Sequence, residues 1–171
     1  MEEIKIYDAD QSILKQVQKQ RIHAYREYAK VLPEDHWNAL KATLTSNVDQ
    51  QPNVDVIIAE INEEMVGSVV LFPAKVEAYE FINQLEYPEI RMLAVSPEAR
   101  GKGVALALIK ECMTRVKARH YASIGLHTGD FMKDAIQLYE KLGFKRLPEF
   151  DFEPANDGII VKAYIYRFDQ N

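Results

Sequence analysis

The sequence lacks most features that would mark a secreted, membrane-spanning or nucleic-acid-binding protein. Cys112 is the single cysteine among 171 residues, which excludes an intramolecular disulfide and gives no sign of an oxidising compartment. No apolar run approaches the roughly 18 residues of a membrane-spanning helix, and the N-terminus shows no signal-peptide pattern. A formal net charge of −5 argues against nucleic acid and anionic membranes as partners. We therefore expect a cytoplasmic protein.

Motifs for metal ions and for nucleotides are also lacking. The four histidines and the one cysteine show no metal-ligand spacing. Neither a Walker A pattern nor a G-x-G-x-x-G pattern occurs. The sequence therefore predicts no metal site and no nucleotide-binding loop of those two kinds.

The composition is that of an ordinary globular protein, with 47% hydrophobic and 27% charged residues and no repeat or linker. We expect a single domain over residues 1–171. The patterns predict, in chain order, a strand at 4–7, helices at 13–28 and 33–44, strands at 55–61, 65–72 and 90–95, a helix at 104–119, a strand at 123–127, a helix from Asp130 or Asp134 to Leu142, and strands at 150–152 and 159–166. This order is typical of an α/β fold with a mixed sheet. The irregular connection at 74–87 is a candidate wall of a substrate pocket.

One stretch carries most of the functional information, namely the strand at 90–95, the turn that follows it and a glycine-bearing loop that opens directly into a helix. Gly101 and Gly103 let backbone N–H groups come together without side chains in the way. The helix from about Val104 adds its own unpaired N–H groups and the positive end of its dipole. Arg100 and Lys102 add positive charge. The stretch predicts an anion site, and phosphate is its usual guest.

The same stretch resembles the acetyl-CoA signature of the GCN5-related N-acetyltransferases, Gln/Arg-x-x-Gly-x-Gly/Ala, which Arg100, Gly103 and Ala105 satisfy. The residues 135–144, Ala-Ile-Gln-Leu-Tyr-Glu-Lys-Leu-Gly-Phe, resemble a second hallmark of that family. The resemblance implies the acyl-CoA N-acyltransferase fold, in which a splayed central strand of a mixed β-sheet is flanked by helices. It also implies acetyl-CoA as cosubstrate, and homodimers are common in the family.

The resemblance further implies which residues bind the cosubstrate. Backbone groups of Leu93, Ala94 and Val95 would bind pantetheine, and the Leu93 amide would donate to the thioester oxygen. The pyrophosphate would rest on backbone amides of the loop, and the second motif would add contacts from Ala135 and Tyr139. The loop residues concerned are Arg100, Gly101, Lys102, Gly103, Val104 and Ala105.

The resemblance implies which residue is the general acid, but it does not decide which residue is the general base. Tyr139 matches the tyrosine that family members use to protonate the departing thiolate, and its other interpretation is packing on CoA. An alkyl ammonium, with a pKa of about 10.4, must lose a proton before it attacks. Glu89 matches a glutamate that histone-modifying members use as base, and it shares a strand face with Leu93 if the strand is regular. The alternative is a strand-end glutamate that lies in solvent or forms an ion pair with Arg91. His127 is the second candidate base, and a water relay to either group is the third.

One residue departs from the family pattern. Where the second motif usually carries an asparagine that contacts CoA, this sequence has Met132, whose thioether is a weak acceptor. Asp130, Lys133 and Asp134 are nearby substitutes that the sequence does not rank. Aromatic residues on the first two helices, Tyr25, Tyr28 and Trp37, belong either to the core or to an acceptor pocket.

The sequence thus predicts an N-acetyltransferase that moves an acetyl group from acetyl-CoA to a primary amine, by direct attack in a ternary complex. The acidic balance favours a small cationic amine. The alternatives are a protein or peptide amine as acceptor, and a non-catalytic acetyl-CoA-binding module.

Overall fold

The computed structural model describes residues 2–74 and 85–168. The helices are α1 (Leu14–Tyr25), α2 (Glu34–Leu44), α3 (Val104–Ala118) and α4 (Lys133–Leu142). The strands are β1 (Lys5–Asp8), β2 (Asp55–Ile61), β3 (Glu64–Phe72), β4 (Glu89–Val95), β5 (Ser123–Gly129), β6 (Lys145–Arg146) and β7 (Val161–Arg167). Short 3₁₀ turns occupy Gln11–Ile13, Arg26–Lys30, Val48–Gln50, Pro97–Ala99 and Pro148–Phe150. The predicted α/β class is confirmed.

The chain divides into two compact units, one of Met1–Leu71 with Met92–Cys112 and one of Phe72–Arg91 with Met113–Asn171. Strand β4 and helix α3 contribute residues to both. In the first unit the strand order is β1-β2-β3-β4, and the β1/β2 and β2/β3 pairs are antiparallel. Asn62 and Glu63 both have positive φ (51° and 67°), which suits the tight turn of the β2–β3 hairpin.

The core of the first unit lies where its helices meet its strands. Fully buried side chains include Val17 of α1, Ile57 of β2, Val69 of β3 and Leu108 of α3. Gly67 of β3 is required by the packing, because a Cβ there would lie 2.6 Å from Val104 Cγ1. Val104, the first residue of α3, therefore packs directly against β3. The glycine-bearing loop ends at this contact.

In the second unit the strand order is β4-β5-β7-β6. The β4/β5 pair is parallel and its described register comprises Glu89↔Gly125 and Ile90↔Leu126, whereas β5/β7 and β6/β7 are antiparallel. The sheet is therefore mixed, as predicted. The β4/β5 pairing is short for two seven-residue strands, which fits the expected splay of the central strand.

Several predicted bounds need correction. The first helix ends its α-helical part at Tyr25, and Arg26–Lys30 continue as a 3₁₀ turn. The predicted strand at 150–152 is wrong: Pro148–Phe150 form a 3₁₀ turn and Phe152 makes only an isolated bridge with Val161. The described partner strand in this part of the chain is the unpredicted β6. Most of the predicted connection at 74–87, residues 75–84, lies outside the described residues.

Candidate active site

The loop from Arg100 to Ala105, here called the glycine loop, joins the 3₁₀ turn Pro97–Ala99 to α3. Gly101 and Gly103 have φ of 77° and 86°, the left-handed region that glycine enters at low cost. A Cβ built on either glycine would meet nothing within 4 Å, so the space over the backbone is open. The first turn of α3 contains no acidic residue. The loop therefore fits the predicted pyrophosphate site, with backbone amides and a helix dipole as its means of binding.

The cationic side chains of the glycine loop are themselves paired. Arg100 donates from Nη2 to the Ala24 carbonyl at 3.0 Å, and its Nη1 lies 2.7 Å from Glu27 Oε1. Lys102 Nζ lies 2.7 Å from Glu2 Oε1 and holds the pKa of that carboxyl below its usual range. All four side chains are roughly half exposed. Their positive charge is therefore partly offset by these two carboxylates.

Strand β4 is irregular immediately before the residues expected to bind pantetheine. Met92 has φ of 53°, an unusual conformation for a methionine inside a strand. The carbonyl of Leu93 accepts from Tyr25 Oη at 2.7 Å, and the carbonyl of Ala94 accepts from Gln20 Nε2 at 3.2 Å. The regular alternation on which the shared face of Glu89 and Leu93 depended is thus broken at Met92.

Both candidate bases lie in one buried cluster, here called the Glu89 group: Glu89, Arg91 and His127. Glu89 Oε2 lies 2.7 Å from His127 Nδ1, and Arg91 donates from Nε to Glu89 Oε1 at 3.0 Å. The side chains of Glu89 and His127 are each 2% exposed, and Arg91 is 11% exposed. The ion pair with Arg91 and the contact between the two candidate bases therefore coexist.

The hydrogen bonds of His127 restrict its role. Its Nε2 lies 3.1 Å from the Phe150 carbonyl, which can only accept a hydrogen bond. Its Nδ1 faces the Glu89 carboxylate. Both ring nitrogens therefore face hydrogen-bond acceptors. Glu89 retains further lone pairs on both oxygens, since a carboxylate accepts about four hydrogen bonds.

Tyr87 borders the Glu89 group, and nothing in the sequence singled it out as more than a loop aromatic. Its ring covers Gly125, where a Cβ would lie 2.3 Å from Tyr87 Cε2. Burial, with the nearby Glu89 carboxylate, raises the pKa of Tyr87 to about 12. The phenol is therefore neutral at physiological pH. A glycine within strand β5 was the available signal, because such glycines often mark a close approach of another group.

The second motif folds as predicted around α4. Tyr139 is 5% exposed, and its ring packs edge-to-face on Phe144 at 5.8 Å between centroids. Gly143 ends the helix with φ of 105°, as its position after Leu142 indicates. Ala135 is half-buried in the first turns of α4. The structure thus places this motif on a well-packed helix.

Met132 stands at the N-cap position of α4 and makes no capping hydrogen bond with its side chain. Its sulfur accepts instead from Thr128 Oγ1 at 3.6 Å. The thioether is therefore already engaged in a hydrogen bond within the protein. No described contact makes Met132 a replacement for the polar asparagine of the family pattern.

Gln20 and the Phe150 carbonyl are not among the residues that the sequence predicts for the site. Gln20 is 7% exposed although it is polar, and it lies on the buried face of α1 with Val17, Arg21 and Ala24. Polar residues at apolar positions of a helical stripe were the signal that could have found Gln20. Backbone acceptors such as Phe150 leave no signal in the sequence.

Two absences concern only the residues that the structure describes. Within 2–74 and 85–168, no three His, Cys, Asp or Glu side chains come together in a way that could hold a metal ion. No helix in the same ranges is long and apolar enough to cross a membrane.

The fold is that of an α/β protein in which a glycine-bearing loop opens directly into a helix. The model of the acetyltransferase (GNAT) family matches residues 16–144, which include β4, the glycine loop and α4. The chain therefore belongs to the acetyltransferase (GNAT) family.

Relatives of known name agree with this assignment. The chain is similar to N-acetyltransferase family 8 member 2 of Rattus norvegicus, with 33% identity over 89 residues that cover 52% of this chain and 38% of the relative. It is also similar to N-acetylaspartate synthetase of Xenopus tropicalis, with 30% identity over 124 residues that cover 70% of this chain and 43% of the relative. The chain thus spans about two fifths of the length of these curated relatives.

The fold matches a solved structure over almost its whole length. The PaiA N-acetyltransferase of Thermoplasma acidophilum, in complex with coenzyme A, superposes with a TM-score of 0.69 at 16% identity, covering 96% of this chain and 99% of that one. The predicted acyl-CoA N-acyltransferase fold is therefore confirmed.

Proposed function

We propose that this protein transfers an acetyl group from acetyl-CoA to a primary amine of a small molecule. The observation that carries the proposal is the glycine loop, in which Gly101 and Gly103 leave open space over the backbone at the start of α3. Membership of the acetyltransferase (GNAT) family supports it. So does the likeness of the fold to an N-acetyltransferase in complex with coenzyme A. The single cysteine fits a cytoplasmic setting, which stays a prediction.

In this proposal the pyrophosphate of acetyl-CoA rests on the amides from Gly101 to Ala105, assisted by Arg100 and Lys102. Backbone groups of Leu93, Ala94 and Val95 bind the pantetheine arm, and α4 adds contacts from Ala135 and Tyr139. The amide of Leu93 donates to the thioester oxygen and stabilises the negative charge that develops there. Since Arg100 and Lys102 are ion-paired in the protein, binding exchanges carboxylate partners for phosphate.

The chemical step is a direct displacement. The amine nitrogen attacks the thioester carbonyl carbon, a C–N bond forms, and the C–S bond breaks to release CoA thiolate. Before the attack the ammonium gives one proton to a base. The nitrogen loses a second proton from the tetrahedral intermediate, and the departing thiolate takes one proton from an acid, so that the net products are the N-acetyl amine, CoA thiol and one proton released to solvent. Atoms and charge balance without a covalent enzyme intermediate.

Glu89 is the proposed base, directly or through a water molecule, and His127 positions it. The carboxylate keeps free lone pairs, whereas both ring nitrogens of His127 face acceptors. Tyr139 is the proposed acid, because a phenol is a neutral donor at pH 7 that can give its proton to a developing thiolate.

A small acceptor is favoured by two observations. The formal net charge of −5 attracts a cationic amine. One relative is named N-acetylaspartate synthetase; N-acetylaspartate is the acetyl derivative of a small acidic amino acid, so this name supports the small size of the acceptor and not its charge. A protein or peptide amine, and binding of acetyl-CoA without turnover, are the competing outcomes.

The test measures free CoA thiol released from acetyl-CoA in the presence of a panel of small amines and a panel of lysine peptides. We expect turnover with at least one small amine. Turnover on peptides alone would overturn the choice of acceptor. Tight binding of acetyl-CoA with no turnover on either panel would leave a binding module.

Replacing Tyr139 with Phe tests the acid. We expect the turnover number to fall about 10- to 100-fold, because the thiolate then leaves without a proton. The Tyr121→Phe variant is the matched control, since that tyrosine is 37% exposed and follows α3. Unchanged turnover in the Tyr139→Phe variant would remove the acid assignment.

A further inference from the structure

Two side chains of helix α1 hold two successive carbonyls of strand β4. Tyr25 Oη donates to the Leu93 carbonyl at 2.7 Å, and Gln20 Nε2 donates to the Ala94 carbonyl at 3.2 Å. Tyr25 is 6% exposed and Gln20 is 7% exposed. The peptide planes after Leu93 and after Ala94 are therefore each fixed by a buried side chain from the same helix.

The amide of Gln20 is part of a closed network. Besides Ala94, its Nε2 donates to Ser96 Oγ at 3.1 Å, and its Oε1 accepts from Ser68 Oγ at 2.6 Å. Ser68 is fully buried and Ser96 is 2% exposed. Burying this many polar groups costs free energy unless each one is hydrogen-bonded, and apolar residues would fill the same space more cheaply. The network therefore serves to define a geometry as well as to fill the core.

The geometry that needs support lies one residue earlier. Met92 has φ of 53°, and a non-glycine residue in that region persists only where its surroundings hold it. The amide that follows Met92 belongs to Leu93, the proposed donor to the thioester oxygen. With the next two peptide planes fixed, the Leu93 backbone has fewer directions in which to turn its N–H group. Preorganised donors of this kind stabilise developing charge without reorganisation during the reaction.

We propose that Tyr25 is a positioning residue for acetyl transfer, which fixes the Leu93 backbone so that the Leu93 amide faces the thioester oxygen. Gln20 has the same role one peptide further along. This inference rests on the proposed function. It assigns to Tyr25 a task that neither core packing nor lining of an acceptor pocket would require.

The test compares acetyl-CoA with CoA, because CoA lacks the thioester oxygen that Leu93 would contact. In the Tyr25→Phe variant we expect the affinity for acetyl-CoA to fall about three- to tenfold while the affinity for CoA is unchanged, as measured by calorimetry. We expect the turnover number to fall by a similar factor, with an unchanged KM for the amine. The Tyr121→Phe variant loses a hydroxyl on an exposed ring and is the control.

Equal losses for acetyl-CoA and CoA in the Tyr25→Phe variant would show a structural role only and would overturn the inference, as would no loss at all. The Gln20→Met variant repeats the comparison with a side chain of similar length that cannot donate. We expect the same selective loss for acetyl-CoA, and an unselective loss there would also count against the inference. If the unaltered protein binds neither ligand, the proposed function fails instead, so the two failures are distinguishable.

Discussion

The glycine loop leaves backbone atoms exposed beside two glycines, whereas the Glu89 group is made of charged side chains packed against one another. Around Gly101 and Gly103 the space is open, and the neighbouring Arg100 and Lys102 are about 40% exposed. Glu89 and His127 are 2% exposed. A backbone site needs only the right φ values and the absence of side chains. A buried charged group needs all its partners at once, because losing one leaves an uncompensated charge.

The two regions should therefore be sensitive to opposite kinds of substitution. In the loop, an added methyl group should weaken ligand binding, because it would occupy space that the ligand needs. In the Glu89 group, removing one partner should change the charge and orientation of the others. The predictions below test each region by the change to which it should be most sensitive.

The largest effect is expected at Glu89. In the Glu89→Gln variant we expect the turnover number at saturating acetyl-CoA to fall about 100-fold or more, because the amide does not take a proton at neutral pH. The measurement is the rate against pH for the most active amine, with circular dichroism to verify folding. Unchanged turnover would exclude Glu89 as the base.

Two variants of His127 separate positioning from base catalysis. Asn retains an N–H donor near the position of imidazole Nδ1, which is the atom 2.7 Å from Glu89 Oε2, whereas Ala retains none. If His127 positions Glu89, the Asn variant should keep most of the activity and the Ala variant should lose about tenfold. Equal and large losses in both would identify His127 as the base.

An intermediate effect is expected in the glycine loop. In the Gly103→Ala variant we expect the dissociation constant of CoA to rise about tenfold, because the methyl group enters the space above the amides. Gly158→Ala is the matched control, since Gly158 has φ of 83° and also has nothing within 4 Å of its Cβ position. Both variants should lose about 1 kcal/mol of folding stability without ligand. Equal CoA affinities in the two variants would show that the loop does not bind the pyrophosphate.

Several elements could be predicted because their signals are local. Strand β2 has the predicted bounds, α3 begins at Val104 as predicted, and Gly143 ends α4 in the left-handed conformation. Each depends on residues within a few positions of one another, such as a β-branched run or a glycine after an apolar stripe. The family motif falls in the same class.

Long-range contacts could not be predicted in this way. His127 meets Glu89 across 38 positions, and Gln20 meets Ala94 across 74. The error at 150–152 has a related cause, since Pro148 favours a turn and the strand that pairs with β7 is β6 instead. Alternation in a sequence shows which residues can form a strand, but pairing is decided by the rest of the sheet.

The smallest effect concerns the segment that supplies the acceptor for His127. Arg146 donates from Nη1 and Nη2 to the two carboxylate oxygens of Asp151, the Nη1 bond being 2.9 Å long, and the Ala163 amide donates to Oδ1 at 2.8 Å. Burial alone would raise the pKa of Asp151, but these donors outweigh burial and hold it below its usual range. Since Asp151 follows Phe150 directly, the ion pair between Arg146 and Asp151 holds in place the Phe150 carbonyl, which faces His127 Nε2.

The sign of the pH dependence follows from that lowered pKa. A carboxyl group whose pKa is lower in the folded protein contributes stability that is present above its unfolded value of about 3.9 and is lost as the pH falls through the folded value. We therefore expect the Asp151→Asn variant to be about 1–2 kcal/mol less stable at pH 7 in urea unfolding, with the difference shrinking below about pH 4. The Gly103→Ala variant is the control, because strain in the backbone does not titrate and its deficit should be the same at both pH values. If the Asp151→Asn variant lost the same free energy of unfolding in acid as at pH 7, packing and not charge would hold this segment in place. The segment that supports the Glu89 group would then not depend on charge, in contrast to what we expect.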